Sequence, residues 1–587
     1  MRKALQVAAS LALVAAYLLL LPETGSGPAS KVLALLTLVP AVLILAVVLS
    51  SAFGRRDLAA EWRSLLEKPS PAVFVGSVCT FVLVFSAWMA VGPLGGIPRG
   101  GDETAYLFQS RIYARGALSA PEPPVSDPRR FFPFRHFIFD DGRWFTMYTP
   151  LHSVLMAPFT AAGQDSLLGP AEGALSILGS WLLLRRLAGS GTARLSVLLM
   201  ALSPFFLFMS ATRMAHNTSL LLVVWACWAI LHGVQRDRPA VTALGGLLLG
   251  LAVNAKPYPD LAWWPFALAA IACFGGHGRW KHLAAAVAGG LPAAALLLAT
   301  NWYYTGDPLT AAYNMARGDS LVGFGPDKAW FPVYGDHAHT PARGLMNVAK
   351  QAGVGSVMLF GWPLISLVPA FFAIRSARRD RRALWLFALL LVFALLLSLH
   401  YSPSVDYGPR HYFSLMAVAA LLSAAGLGEI TSILRTRFGP RGGSITALSV
   451  AGLFLCSAVF YVPGEIAERS GPWMAIDDLP MKLAEDGGAS VPALVFMQAS
   501  EHGYPNILSG LNYDSPFLDS PYLFCAHQEA WEDLEFLAVQ PGRNAYLLWF
   551  DGTGGHLEPW TGERASALVP SRELHADISL PRGVADN

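Results

Sequence analysis

The feature that most constrains this sequence is its division into long apolar runs, each of about 20 residues. A run of that length crosses the roughly 30 Å hydrocarbon core of a bilayer as an α-helix. A backbone in lipid must satisfy its own hydrogen bonds, and unbroken apolar runs do so as helices rather than as a barrel. Only 14% of the 587 residues are charged, against roughly a quarter in soluble domains. The sequence therefore predicts an all-α polytopic membrane protein.

The apolar runs predict about 13 transmembrane helices. They lie at 4–21, 31–53, 71–92, 167–187, 192–211, 217–233, 239–255, 259–275, 283–302, 352–374, 383–401, 411–429 and 443–463. The first run is long for the apolar part of a signal peptide and lacks a convincing cleavage site, so we interpret it as an uncleaved span.

Basic residues orient these spans, because cytoplasmic loops accumulate Lys and Arg. With the N-terminus in the cytoplasm, short cytoplasmic segments hold 21 of the 42 Lys and Arg residues. The short loops on the other side hold only Lys31, Arg213, Lys256 and Arg410. The net charge of +2 gives no indication of nucleic-acid binding, and we expect no nucleic acid among the partners.

Three outer segments are long enough to carry structure: 92–166, 303–353 and the tail. The tail alternates apolar runs at 493–496 and 545–550 with polar stretches and Gly/Pro turns, a pattern typical of a small α/β domain. We expect two extra transmembrane helices and a cytoplasmic loop at 1–70. A transmembrane module follows at 71–463, and a C-terminal extracytoplasmic α/β domain at 464–587.

Polar side chains gather at the outer ends of the predicted spans rather than at their midplanes. They are Glu172, Arg213, His216, Asn217, Asn254, Lys256, Asp260, His400, Asp406 and Arg410. A charge near lipid usually faces a protein interior or an aqueous cavity. This set predicts a polar cavity open to the outside. The empty midplanes argue against a transporter, whose site usually lies near the bilayer centre.

The first outer loop carries an acidic pair, Asp102-Glu103, after two glycines. The apolar spacing from Glu103 onward is helical, which places Asp102 at the start of a short helix along the membrane. Capping alone would explain a carboxylate there, because free N–H groups and the helix dipole stabilise it. Adjacent helical residues point apart, so the pair does not share a proton. The segment from Tyr148 to His152 opens a second amphipathic helix, which extends to about residue 162.

An acidic pair in the first outer loop, a Tyr/Gln/Arg helix and a Pro-Leu-His helix together resemble the GT-C membrane glycosyltransferases. The branch they resemble is that of protein O-mannosyltransferases and the aminoarabinose transferase of lipid A. Three later segments agree: Asn254-Ala255-Lys256-Pro257, residues 301–310 (NWYYTGDPLT) and Tyr407-Gly408-Pro409-Arg410-His411-Tyr412. The resemblance covers roughly residues 71–430.

The resemblance implies an enzyme that moves a sugar from a polyprenyl-phosphate donor to an acceptor, usually with inversion. The acceptor is a cell-envelope glycan, lipid or protein outside the membrane. We therefore expect an integral protein of the bacterial inner membrane, in contact with membrane lipid, with its active site and C-terminal domain in the periplasm.

Matching positions carry the family's site residues onto this chain. Asp102 corresponds to the general base, with Glu103 and His152 orienting the acceptor. Lys256, Arg410 and His411 correspond to the ligands of the donor phosphate. Contact with lipid headgroups is the alternative for Lys256 and Arg410. The resemblance implies further substrate contacts from Arg111, Tyr148, His152, His216, Asn217 and Tyr407.

No cofactor is indicated, although a divalent metal stays open. Many relatives carry a second carboxylate where this chain has His216-Asn217, which weakens the case for a carboxylate-bound metal. Asp336, His337 and His339 are ligand types in the second outer loop, but loop histidines are usually solvated.

Three other functions stay open. A ligase or polymerase acting on a polyprenyl-diphosphate glycan is disfavoured. Such enzymes have their large outer loop late in the chain, whereas the acidic loop of this sequence comes early. A lipid or glycan flippase is disfavoured by the empty midplanes. A scaffold protein derived from a GT-C enzyme is disfavoured by the acidic pair at Asp102-Glu103.

Overall fold

The computed structural model describes residues 28–317, 322–326, 338–377, 381–400, 406–471, 475–500, 505–551 and 554–573. The predicted span at 4–21 lies outside these residues, as do Asp336 and His337.

Six helices among the described residues are long and apolar enough to cross a membrane. They are Pro71–Val91, Asp165–Ala201, His216–Gln235, Gly276–Thr305, Arg410–Phe438 and Pro440–Ser470. Shorter apolar helices are Thr37–Ser50, Leu151–Ala161, Pro239–Ala255 and Leu384–Ser398. These helices confirm a largely helical membrane protein, whereas the expected count of about 13 spans is not confirmed.

Several predicted spans are broken rather than continuous. The runs at 167–187 and 192–211 form one long helix, Leu168–Ala201, interrupted at Gly189 (φ 79°), and a short helix, Pro204–Ser210. The run at 352–374 divides between Pro341–Met358, Val368–Phe372 and Ile374–Ala377. Apolar composition predicts that a segment is buried, but Pro and Gly decide where its helix stops.

The remaining helices are shorter or lie outside the apolar set. They are Leu58–Glu67, Gly101–Ala114, Pro128–Phe131, Pro257–Asp260, Trp263–Phe274, Ala312–Arg317, Leu479–Asp486, Leu508–Leu511, Ala530–Ala538 and Gly562–Ala567. The apolar stretches Thr37–Ser50 and Leu384–Ser398 are parts of the helices Pro28–Ser50 and Arg381–Ser398, and the span Pro440–Ser470 ends in the helix Val462–Ser470.

Basic loops meet at one end of the helical part. Arg435 bonds to Asp57 at 2.7 Å, and Arg194 Nη2 donates to the Pro69 carbonyl oxygen at 2.9 Å. Both partners precede the helix Pro71–Val91. The other end of that helix leads into the loop 92–166, so the acidic pair lies at the opposite end from these basic loops.

The first outer loop contains an antiparallel sheet that the sequence reading missed. Its strands are β1 (Ala120–Pro121), β2 (Phe137–Asp140) and β3 (Arg143–Thr146), in the order β1-β3-β2. Asp141 and Gly142 join β2 to β3 with positive φ angles of 51° and 69°. An Asp-Gly pair between apolar runs is a strong sign of a tight hairpin turn. This pair is the feature of the sequence from which the β2–β3 hairpin could have been predicted.

The tail contains a four-stranded β-sheet and short helices. Strands β4 (Ala493–Met497), β5 (Tyr522–Ala526), β6 (Asn544–Asp551) and β7 (Gly554–Pro559) form one sheet in the order β5-β4-β6-β7. β4 runs parallel to β5 and β6, and β7 is antiparallel to β6.

The tail and the first outer loop share one hydrophobic core. The ring of Phe536, from the tail, stacks on Phe131 of the loop with centroids 4.8 Å apart. Phe132, also of the loop, meets the same ring edge-on at 5.8 Å. All three rings are at most 2% exposed. The tail is therefore packed as part of the outer loop's structure and not as a separate body.

Candidate active site

Two glycines bring the start of the Asp102 helix (Gly101–Ala114) close to its neighbours. A Cβ on Gly100 would lie 2.3 Å from the Tyr407 hydroxyl oxygen, and one on Gly101 would lie 3.0 Å from a ring carbon of His136. Gly100 is the N-cap residue and offers no side-chain cap. Asp102 therefore lies inside the first turn and does not serve as the cap.

Asp102 is surrounded by donors and positive charge. Tyr148 donates its hydroxyl to Oδ1 at 2.6 Å. Arg410 Nη1 lies 3.5 Å from Oδ2, and His136 Nε2 lies 4.0 Å from Oδ1. Burial alone would raise the pKa of Asp102, but Arg410, His136, Tyr148 and Lys256 together hold it well below its usual value. Its side chain is 21% exposed, so an ionised carboxylate is open to a ligand.

Glu103 has different partners from Asp102, as the helix geometry predicts. Its Oε1 accepts from the Tyr407 hydroxyl at 2.5 Å, and its Oε2 accepts from the backbone N–H of Arg213 at 2.9 Å. Burial raises the pKa of Glu103, opposed by these hydrogen bonds. The side chain is 2% exposed. Glu103 thus joins the Asp102 helix to the segments that carry Tyr407 and Arg213.

His152 belongs to a buried chain of hydrogen bonds. Its Nε2 lies 2.8 Å from the carbonyl oxygen of Arg213, and its Nδ1 lies 2.7 Å from the Thr218 hydroxyl oxygen. Thr218 in turn contacts Glu172 Oε1 at 2.5 Å. Glu172, unexplained by the sequence, is therefore the inner end of a chain that reaches Arg213 and, through its backbone, Glu103.

Two of the predicted phosphate ligands, Arg410 and Lys256, place positive charge near the Asp102 carboxylate. Arg410 contacts it directly, and Lys256 lies within electrostatic range of both Asp102 and Arg410. Among the described residues, the Lys256 ammonium has no hydrogen-bond or ion-pair partner, although its backbone N–H donates to the Ala252 carbonyl oxygen at 2.9 Å. The rings of His411 and His216 are 6.0 Å apart. Their ring nitrogens are buried and unpartnered among the described residues, which leaves polar groups available to a ligand.

Other predicted substrate contacts have protein partners instead. Arg111 donates to the carbonyl oxygens of Asn512 and Asp514 at 2.6 and 2.7 Å, which ties the Asp102 helix to the tail. Asn217 donates Nδ2 to the carbonyl oxygens of Met209 and Thr212 at 2.8 and 3.2 Å. Neither arrangement places the side chain beside Asp102, because backbone carbonyl oxygens hold both groups, in the tail for Arg111 and in the preceding residues for Asn217.

Tyr407 and Tyr148 are likewise engaged, since their hydroxyls bond to Glu103 and Asp102. The sequence reading missed His136, which precedes β2, and undervalued Arg213. The Arg213 side chain bonds to Asp165 Oδ2 and to the Gly96 carbonyl oxygen, both at 2.5 Å. A histidine in an aromatic loop carries no distinctive signal, so only packing reveals His136.

In the described part of the chain, no group of three or more His, Cys, Asp or Glu side chains converges as a metal site requires. His339, the described member of the loop motif, directs Nε2 to the Ser398 carbonyl oxygen at 2.9 Å.

Residues 170–304 match the model of the dolichyl-phosphate-mannose-protein mannosyltransferase family. The match confirms the resemblance to GT-C glycosyltransferases over a stretch that includes His216, Asn217 and Lys256. No curated protein matches the sequence.

Among the solved structures that resemble the chain are those of two proteins. ArnT from Cupriavidus metallidurans, bound to undecaprenyl phosphate, is 13% identical with a TM-score of 0.48, over 82% of this chain and 93% of that one. Its apo state gives a TM-score of 0.49 at the same identity and coverage. The archaeal oligosaccharyltransferase AglB from Archaeoglobus fulgidus, solved with an inhibitory peptide and a dolichol-phosphate, is 13% identical with a TM-score of 0.40. That match covers 80% of this chain and 69% of AglB.

Proposed function

We propose that this protein is a membrane glycosyltransferase that takes a sugar from a polyprenyl-phosphate donor and attaches it to an acceptor outside the membrane. The observation that carries the proposal is the contact between Asp102 and Arg410, with Lys256 nearby. A carboxylate that accepts a proton then lies next to cations that hold a phosphate leaving group. The family match, whose members use dolichyl-phosphate mannose by name, supports the donor class.

The chemistry is a single displacement at the anomeric carbon of the sugar. Asp102 takes the proton of the acceptor group as that group's heteroatom forms the new bond to the sugar. The bond between the sugar and the phosphate oxygen breaks, and its electron pair leaves with polyprenyl phosphate. Lys256 and Arg410 stabilise the phosphate charge that develops. Attack opposite the leaving group inverts the configuration of the anomeric carbon.

Donor binding also prepares the base. Without a bound donor, the positive charge of Arg410 lies next to the Asp102 carboxylate and lowers its pKa. A bound phosphate shares the guanidinium and adds negative charge beside Asp102, so the proton affinity of the carboxylate rises. The base therefore becomes more effective once the sugar donor is in place.

Glu103 and His152 act through position in this proposal. Both are buried and bonded to protein groups, so they orient Asp102 and the Arg213 segment and do not touch the acceptor. His411 and His216 supply ring nitrogens for the donor headgroup. The acceptor is a glycan, lipid or protein of the cell envelope, reached from the periplasmic side of a bacterial inner membrane.

The test compares wild type with Asp102→Asn after reconstitution into liposomes. Labelled polyprenyl-phosphate sugars serve as donors, and cell-envelope fractions serve as acceptors. Loss of the base lowers kcat by about 10²- to 10⁴-fold. Asp140→Asn is the matched control, because Asp140 lies in the same loop and pairs with Arg143.

Two results contradict the proposal. Wild type that transfers no sugar from any polyprenyl-phosphate donor excludes the donor class, and full activity of Asp102→Asn excludes the assigned base. Equal labelling from a nucleotide sugar without lipid indicates another enzyme class.

A further inference from the structure

One side chain of the tail, Asn512, holds the segment that carries the acidic pair. Asn512 is 3% exposed. Its Oδ1 accepts from the Thr104 hydroxyl at 2.7 Å, and its Nδ2 donates to the Pro98 carbonyl oxygen at 3.1 Å. Its own carbonyl oxygen accepts from Arg111 Nη2 at 2.6 Å. A single tail residue therefore contacts this segment at three points, before, within and near the end of the Asp102 helix.

The amide of Asn512 has one orientation that satisfies both partners. The Pro98 carbonyl oxygen can only accept, so it faces Nδ2, and the Thr104 hydroxyl then donates to Oδ1. Thr104 and Pro98 lie on either side of Asp102 and Glu103 along the chain. The Thr104–Asn512 hydrogen bond is buried. A substitution that breaks it therefore leaves a polar group with neither a protein partner nor water to bond to, which is energetically unfavourable.

The turn that carries Asn512 is itself fixed to the tail sheet. Asp514 accepts from the backbone N–H of Phe524, in β5, at 2.9 Å. The Asp514 carbonyl oxygen accepts from Arg111 Nη1 at 2.7 Å. A second anchor comes from Arg99, whose Nη1 donates to the carbonyl oxygens of Gly471 and Ile476, both at 3.0 Å. The Asp102 helix is thus tied to the tail on both sides of the acidic pair.

We propose that Asn512 is a positioning residue for sugar transfer, through which the C-terminal domain holds Asp102 in place beside the donor phosphate. This inference rests on the proposed function. Misplacing a reacting group by about 1 Å can cost about 10²-fold in rate. The donor ligands Lys256 and Arg410 lie at the ends of two membrane helices, Pro239–Ala255 and Arg410–Phe438. In the described part of the chain, the Asn512 side chain bonds to Thr104 and Pro98 and to neither of these helices, so the effect falls on kcat and spares the KM for the donor.

The test uses two variants of the full chain, each of which removes one of the two side-chain hydrogen bonds of Asn512. Asn512→Asp keeps the volume but replaces the Nδ2 donor with an oxygen facing Pro98, and Thr104→Val removes the hydroxyl without changing the shape. Each lowers kcat about tenfold or more, with the donor KM within about twofold of wild type. The double variant loses both bonds, so its kcat is expected to fall at least as far as that of the slower single variant.

Asn544→Asp is the matched control. Asn544 donates Nδ2 to the Ser490 carbonyl oxygen at 2.9 Å, a bond that stays within the tail. This variant is expected to keep wild-type kcat and KM.

Hydrogen exchange separates this inference from the proposed function. Asn512→Asp raises exchange at amides 104–107 in the Asp102 helix, while the tail strands β4 and β5 keep their protection. If exchange responds in this way but wild type transfers no sugar, the proposed function fails and the anchoring stands. If wild type transfers sugar and both variants match its kcat, the positioning role is wrong. Exchange that rises across the whole tail also overturns it, since Asn512 then serves only stability.

Discussion

Truncating Phe536 tests whether the tail and the first outer loop form one cooperative unit. Phe536 is fully buried, and its ring contacts loop residues Phe131 and Phe132 as well as Phe496 of β4. A buried Phe→Ala substitution costs about 3–5 kcal/mol in unfolding free energy, from lost burial and the cavity left behind. Each aromatic pair accounts for about 0.5–1.5 kcal/mol of that loss. Because two of the three pairs cross from tail to loop, we expect the loss to destabilise both.

The assay is hydrogen exchange on Phe536→Ala in detergent, with peptides from β2 and β3 reporting on the loop and peptides from β4 and β5 reporting on the tail. Exchange should rise together in both sets. Trp531→Ala is the matched control, because Trp531 lies on the same helix but is 64% exposed. Its substitution should change the unfolding free energy by no more than about 0.5 kcal/mol. Faster exchange in the tail with unchanged protection in β2 and β3 would show that the two cores are separate.

Three further substitutions test the site. Gly100→Ala places a Cβ 2.3 Å from the Tyr407 hydroxyl and should lower kcat at least about tenfold by displacing the start of the Asp102 helix; combining it with Tyr407→Phe, which relieves the clash, should recover part of the rate, and no recovery would refute the cause. Thr218→Val removes the hydroxyl that joins His152 to Glu172. Because both partners stay buried without that bond, at about 1–3 kcal/mol each, the free energy of unfolding measured by thermal denaturation should fall by about 2–6 kcal/mol, whereas Thr218→Ser should stay near wild type. Lys256→Met should raise the donor KM about tenfold or more, and an unchanged KM would favour lipid headgroups as its partner.

The local structure of the site could be predicted because it depends on neighbours in the chain. Helical spacing after Asp102 places a helix there, and Gly101–Ala114 is that helix. The same reasoning predicts the helix at His152 and separates the environments of Asp102 and Glu103. Continuity of the membrane helices was predicted less well. The predicted run at 192–211, for example, ends as a helix at Ala201 and starts again at Pro204, although its composition is apolar throughout.

Composition and charge determined, without any coordinates, that this chain lies in a membrane and that its polar groups gather at one side. Those properties are sums over residues and need no knowledge of contacts. Only the tertiary structure decided which groups surround Asp102. Tyr148 and Arg410 are far from it in the chain, and His136 carried no signal in the sequence. The tertiary structure alone also showed that Asn512 and Phe536 of the tail hold the first outer loop. Periodicity predicts which face of an element is buried, but the partner of that face is set by packing between distant segments.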